Sequence, residues 1–125
     1  MNITRNFMIL GTVFLIIGLF IGMYMGGSGD HSLAASHAHI NLIGFVLSVL
    51  FALSYRAFPA MAEGLVPKVH FWAHAVGAVV LNVLLFLLLS GSITDAAMVP
   101  LAPISEILVT IGVLAFGYQV LRHAR

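Results

Sequence analysis

Four apolar stretches, at about residues 7–26, 36–58, 69–90 and 99–121, constrain this chain more than anything else in it. Each approaches or exceeds the ~20 residues that a helix needs to cross the hydrocarbon of a bilayer. The connections between them are short, so no soluble domain is left over. Composition agrees: 62% of residues are hydrophobic and 7% are charged, where a soluble domain carries roughly 25% charged residues. The sequence therefore predicts an all-α, four-transmembrane-helix bundle, a single transmembrane domain over residues 1–125 in contact with the lipid bilayer. The first stretch is too long for the apolar core of a signal peptide, and Met23-Tyr24-Met25-Gly26 is a poor cleavage context. It is expected to remain as a helix.

Charge placement predicts the orientation. Arg5 precedes the first stretch, Arg56 ends the second, Lys68 begins the third, and Arg122 and Arg125 follow the fourth. All the cations then fall on one side of the membrane, with Asp30 and Asp95 on the other. The positive-inside rule puts both termini in the cytoplasm, as expected for a multi-pass protein of a bacterial inner membrane. A net charge of +1 gives no reason to expect nucleic acid. The absence of cysteine excludes disulfides, thiolate metal ligands and covalent haem attachment through C-x-x-C-H.

The polar residues left inside the spans are few, so each one matters. Read at 100° per residue, His37, Asn41, Gly44, Ser48, Ala52 and Tyr55 form one small or polar stripe of the second helix. His39, Leu42, Ile43, Val46, Leu50 and Leu53 cover the other side. Polar groups in lipid turn toward protein, so the His37 stripe is expected to face other helices. His37 and His39 lie about 200° apart and are not expected to serve one site. Gly18, Gly22 and Gly26 of the first helix repeat every four residues, a spacing that lets another backbone approach closely. Asp30 or Ser36 is the expected cap of the second helix, and Pro59 its end.

His70 and His74 are spaced i, i+4 at the start of the third helix, which suits two ligands to one metal. They belong to the inner end, roughly 20 Å from His37 and His39 at 1.5 Å per residue, so the two pairs are not expected to share one group. They are expected to line an inner-side polar contact. Glu106 falls in the outer half of the fourth helix, at a depth close to that of Asn41. A lone carboxylate there is costly, so Glu106 is expected either to partner the His37 stripe, orienting a ligand histidine or accepting a proton beside a cofactor, or to be neutral and bonded to a backbone carbonyl freed by Pro103.

Ser36-His37-Ala38-His39-Ile40-Asn41-Leu42-Ile43-Gly44-Phe45, continuing to Tyr55-Arg56, resembles the second transmembrane helix of haem–copper oxidase subunit I. There a histidine at the outer end is an axial ligand of the low-spin haem, and His37 is the matching position. The stretch is also similar to the His-x-His helix of NnrS-type haem and copper membrane proteins. More broadly, the chain resembles a group of small bacterial four-helix membrane proteins. It shares their Gly-x-x-Met at Gly22 to Met25, Asp-His-Ser-Leu at Asp30 to Leu33, His-Ala-His-x-Asn-Leu-x-Gly at His37 to Gly44, and His-Phe-Trp at His70 to Trp72. The resemblance covers only the first helices of subunit I, and the further haem and copper ligands of that subunit are absent. This chain is therefore not expected to reduce oxygen alone.

The resemblance implies a small b-type haem-binding protein for electron transfer or gas sensing, with His37 first and His39 second as the ligand. Asn41 and Glu106 are expected beside the cofactor, in a homo-oligomer that supplies a second ligand from another copy. Respiratory-chain components are the implied partners. One alternative is copper or zinc handling, or assembly of a respiratory oxidase, using His37, His39, His70 and His74. Another is a structural bundle whose polar stripe only directs packing.

Overall fold

A computed structural model describes residues 1–125. The chain is helical, without strands, and four of its helices are long and apolar enough to cross a membrane. We label them α1 (Ile3–Ser28), α2 (Ala34–Ala57), α3 (Val66–Leu89) and α4 (Leu101–His123). Short 3₁₀ turns, Pro59–Ala62 and Asp95–Met98, lie in the second and third connections.

The helices run past the expected bounds where local chemistry supports them. α1 starts four residues early because the Asn2 side chain accepts the Arg5 N–H at 2.9 Å, satisfying one of the free donors at a helix start. It stops where Gly29 takes φ 73°, and the Gly29 N–H closes on the Met25 carbonyl. α2 begins at Ala34, and neither expected cap is used. The Asp30 carboxylate instead accepts the Ser32 N–H at 2.9 Å, ahead of the helix. That bond, with others from the Ser32 and Tyr24 hydroxyls, holds the Asp30 carboxyl below the ordinary carboxylate range. Ser36 lies in the first turn, buried and without a hydrogen-bond partner. Pro67 sits in the first turn of α3, where its missing N–H costs nothing. Pro59 follows the end of α2, as expected.

One feature of α2 has no counterpart in the uniform helix read from sequence. Residues Ile40–Val46 wind as a π-helix between the α-helical segments Ala34–His39 and Leu47–Ala57. The wide turns centre on Ile43 and include Gly44, and π-helical turns are frequent at functional sites.

Packing follows small residues. α3 and α4 pack closely. A Cβ on Gly77 would lie 2.9 Å from the Ser105 carbonyl, and one on Gly112 would lie 3.2 Å from the His74 amide nitrogen. α1 pairs with α2 along Gly11, Gly18 and Gly22. Gly26, expected on the same seam, meets nothing, because it lies beyond the start of α2 at Ala34. The core at the end of the bundle that carries both termini, the inner end, gathers Ile3, Phe7, Phe51, Ala52, Tyr55, Met61, Phe71 and Ala75. Gln119 of α4 donates to the Met61 carbonyl at 2.7 Å, tying α4 to the inner connection. The outer surface keeps large apolar residues such as Phe20, Leu50, Trp72 and Leu114 exposed. An apolar surface on every side suits lipid as the solvent.

Two expected outcomes test this arrangement. With Asp30→Cys and Glu63→Cys variants in intact cells, an impermeant thiol reagent should label position 30 and not position 63. Gly18→Ala should lower stability by about 1–3 kcal/mol, the usual cost of overpacking, because its methyl would run into the Asn41 amide. Reversible unfolding in mixed micelles measures that cost.

Candidate functional site

The polar stripe of α2 faces protein along its whole length, and it meets two different partners. In the outer half it meets α1. The His37 Nδ1–H donates to the Gly18 carbonyl at 2.9 Å. A carbonyl only accepts, so this bond places the proton on Nδ1 and leaves the Nε2 lone pair. The Asn41 amide then donates to that Nε2 at 3.2 Å. Both nitrogens of His37 are thus engaged within the chain. The fit is close, since a Cβ on Gly22 would come within 3.0 Å of the His37 Cε1.

In the inner half the stripe meets α3. His70 and His74 are fully buried. The Tyr55 hydroxyl bonds the His70 Nδ1 at 2.8 Å, and the Ser48 hydroxyl bonds the His74 Nε2 at 3.3 Å. This is the polar contact expected of His70 and His74 from their depth, whereas their i, i+4 spacing suited two ligands to one metal. The rings lie 6.3 Å apart between centroids. Aromatic side chains enclose them: Phe7 at 4.8 Å and Phe51 at 4.4 Å from His70, with Phe116 of α4 at 5.4 Å. Two of their ring nitrogens, His70 Nε2 and His74 Nδ1, have no hydrogen-bond partner. Buried polar atoms are rarely left so, and an exception calls for a reason.

Gly44 separates the two halves. The ring of Phe14 from α1 packs directly on it, where any Cβ would overlap the ring. Phe14 also borders an apolar groove of about 610 Å³ between α1 and α3, lined by Ile17, Phe20, Ile40, Asn82 and Phe86 among others.

His39 points the other way. It is exposed on the outer apolar side with Leu42 and Leu50. Its Nδ1–H donates to the Ala35 carbonyl of its own helix at 2.9 Å, which leaves Nε2 as a lone pair free of any protein partner. His37 and His39 therefore serve different surroundings, as their angular separation predicts.

Glu106 does not join the His37 stripe. It is exposed on α4, and only its backbone carbonyl is engaged, accepting the Thr110 hydroxyl. The physical reason is the packing order. α4 lies along α3 and reaches α2 only at the inner end, through Phe116 against Phe51 at 4.7 Å. Equal depth in the membrane does not bring Glu106 to the α1–α2 seam. His37, Asn41, His70 and His74 thus fall into two separate interior clusters, with His39 and Glu106 outside both. No group of three or more His, Cys, Asp or Glu side chains comes together as a metal site.

Sequence reasoning missed two pairings and one buried amide. Ser48 and Tyr55 were legible as stripe residues, but their pairing with His74 and His70 needs the register of α2 against α3. Asn82, buried in α3 with its amide donating to the Ala78 carbonyl at 2.8 Å, is the lone amide in a long apolar run, and that isolation was the available signal.

No protein-family model, curated protein or solved structure matches the chain.

The inner cluster makes a quantitative expectation. Tyr55→Phe removes the partner of a fully buried imidazole nitrogen, and leaving such a group unsatisfied costs about 1–3 kcal/mol. Ser48→Ala should cost less, because its bond is longer. Thermal unfolding of the purified variants in detergent ranks the two.

Proposed function

We propose that this chain is a small multi-pass membrane protein that binds b-type haem at its outer end, between two copies, with His39 as the axial ligand. One observation carries the reading: His39 has its Nδ1–H fixed on a backbone carbonyl and its Nε2 free on an exposed apolar face. A ligand histidine is oriented in this way, by a hydrogen bond from the nitrogen that does not ligate. The surroundings suit a flat apolar macrocycle, and a second copy related by a twofold axis supplies the second imidazole at equal depth. The resemblance of the His37 to Gly44 stretch to haem-protein helices supports haem as the bound group.

The order of preference between the two histidines is the reverse of the one the resemblance implies. His37 has both nitrogens engaged, and Gly22 holds α1 against its ring. We assign it, with Asn41, to positioning α2 on α1. Bound haem supplies a one-electron carrier or a site for a diatomic gas. The chain's own part is to orient the imidazole, exclude water with Leu42, Val46 and Leu50, and keep the macrocycle at the outer side.

The absorption spectrum of the purified protein tests this. A Soret band is expected with one haem per two chains, lost in His39→Ala and kept in His37→Ala. Loss in His37→Ala alone returns the ligand to His37. Stoichiometric copper or zinc without a Soret band would support metal handling, and neither would support a structural bundle.

A further inference from the structure

The inner and outer clusters lie on one stripe of one helix, and together they span the membrane. From Tyr55 to His37 is eighteen residues of α2, or roughly 27 Å at 1.5 Å per residue. The file begins beside Arg56 with Tyr55 and His70, continues through His74 and Ser48, and resumes with Asn41 and His37 at the outer end. It is interrupted at Gly44, by the Phe14 ring. We propose that this file is a proton path across the membrane and that Phe14 is its gate.

The hydrogen-bond pattern favours a path over the simplest competing use of the two imidazoles. A metal ion held between His70 Nε2 and His74 Nδ1 requires a lone pair on both. The opposite nitrogens then both carry hydrogen, so the Tyr55 and Ser48 hydroxyls must both accept, and two buried O–H groups have nothing to donate to. One water between the rings needs less. The Tyr55 O–H donates to His70 Nδ1, the His70 Nε2–H donates to the water, the water donates to His74 Nδ1, and the His74 Nε2–H donates to Ser48. Every bond in that series points the same way, and both orphaned nitrogens gain a partner.

A proton then moves by exchange, without loss or gain along the chain. One proton arriving at the Tyr55 oxygen displaces that hydroxyl's own proton onto His70 Nδ1. His70 releases its Nε2 proton to the water, the water passes one to His74 Nδ1, and His74 releases its Nε2 proton toward Ser48. One proton has entered and one is delivered, and rotation of the hydroxyls and a change of imidazole tautomer reset the series. Beyond Ser48, water in the space that Phe14 vacates links to His37, with the Asn41 amide orienting it.

Two further observations place the gate at Phe14. Gly44 provides the seat for the ring, and the groove on the other side of Phe14 provides room into which the ring can turn. The π-helical turns lie at the same level, Ile40–Val46, where α2 is widest.

The test uses the full chain reconstituted in phospholipid vesicles with a trapped pH dye. A potassium gradient with valinomycin supplies the driving potential. Wild type should conduct little. Phe14→Ala should raise the proton flux at least tenfold, and Phe14→Val by an intermediate amount, with sodium flux unchanged in both. Adding Tyr55→Phe or His74→Phe to Phe14→Ala should return the flux to the wild-type level. Helicity by circular dichroism checks that each variant is folded. If neither Phe14 variant conducts above wild type, or if the double variants conduct as well as Phe14→Ala, the path does not run through these residues. Stoichiometric metal bound to wild type and lost in His74→Phe would equally overturn it. None of these outcomes depends on haem.

Discussion

The structure depends on one constraint: a polar group inside a lipid-solvated bundle must find its partner within the protein. Hydrocarbon offers no hydrogen bonds, so each polar side chain in the spans fixes where a neighbouring helix sits. His37 on the Gly18 carbonyl fixes α2 against α1. Tyr55 on His70 and Ser48 on His74 fix α2 against α3. Apolar contact in a membrane adds packing but little direction, because lipid tails are as apolar as leucine. The bonds give register, and the glycines let the backbones close to the distance those bonds require.

This explains why glycine and hydrogen bond occur as pairs. Gly18 supplies both the carbonyl that His37 uses and the space that Asn41 fills. Gly22 clears room for the His37 ring, and Gly112 lets α4 pack against the His74 backbone. Gly11, Gly44 and Gly77 serve close packing alone, and Gly26 and Gly117 meet nothing. The polar stripe and the small-residue seam are two halves of one device.

Much of this was legible in the sequence because both signals are local. Four apolar runs gave the span count, and the periodicity of His37, Asn41, Ser48 and Tyr55 gave the inward face of α2. The partners were not legible, because they depend on how far one helix slides along another. Depth alone suggested that Glu106 meets Asn41. Depth is a single coordinate, and the neighbour order around the bundle sets the other; α4 packs on α3 and leaves Glu106 outside. The π-helical stretch was hidden for a different reason. It shifts the register by less than one turn, and the uniform 100° reading still placed Ser48 and Tyr55 on the correct side.

The difference between His37 and His39 shows how little separates a packing histidine from one that keeps a free lone pair. Both rings bond a backbone carbonyl through Nδ1, at the same distance of 2.9 Å. Both therefore present Nε2 as a lone pair. For His37 the carbonyl belongs to α1, so the bond that sets the tautomer also draws the ring into the seam, where Asn41 takes the remaining nitrogen. For His39 the carbonyl belongs to its own helix, four residues back, so the bond sets the tautomer without burying the ring. A polar atom facing hydrocarbon without a partner is costly. That cost is met inside the chain for His37. For His39 it is left to whatever covers this face, and a ligand or a second copy that accepts the lone pair gains the whole of it.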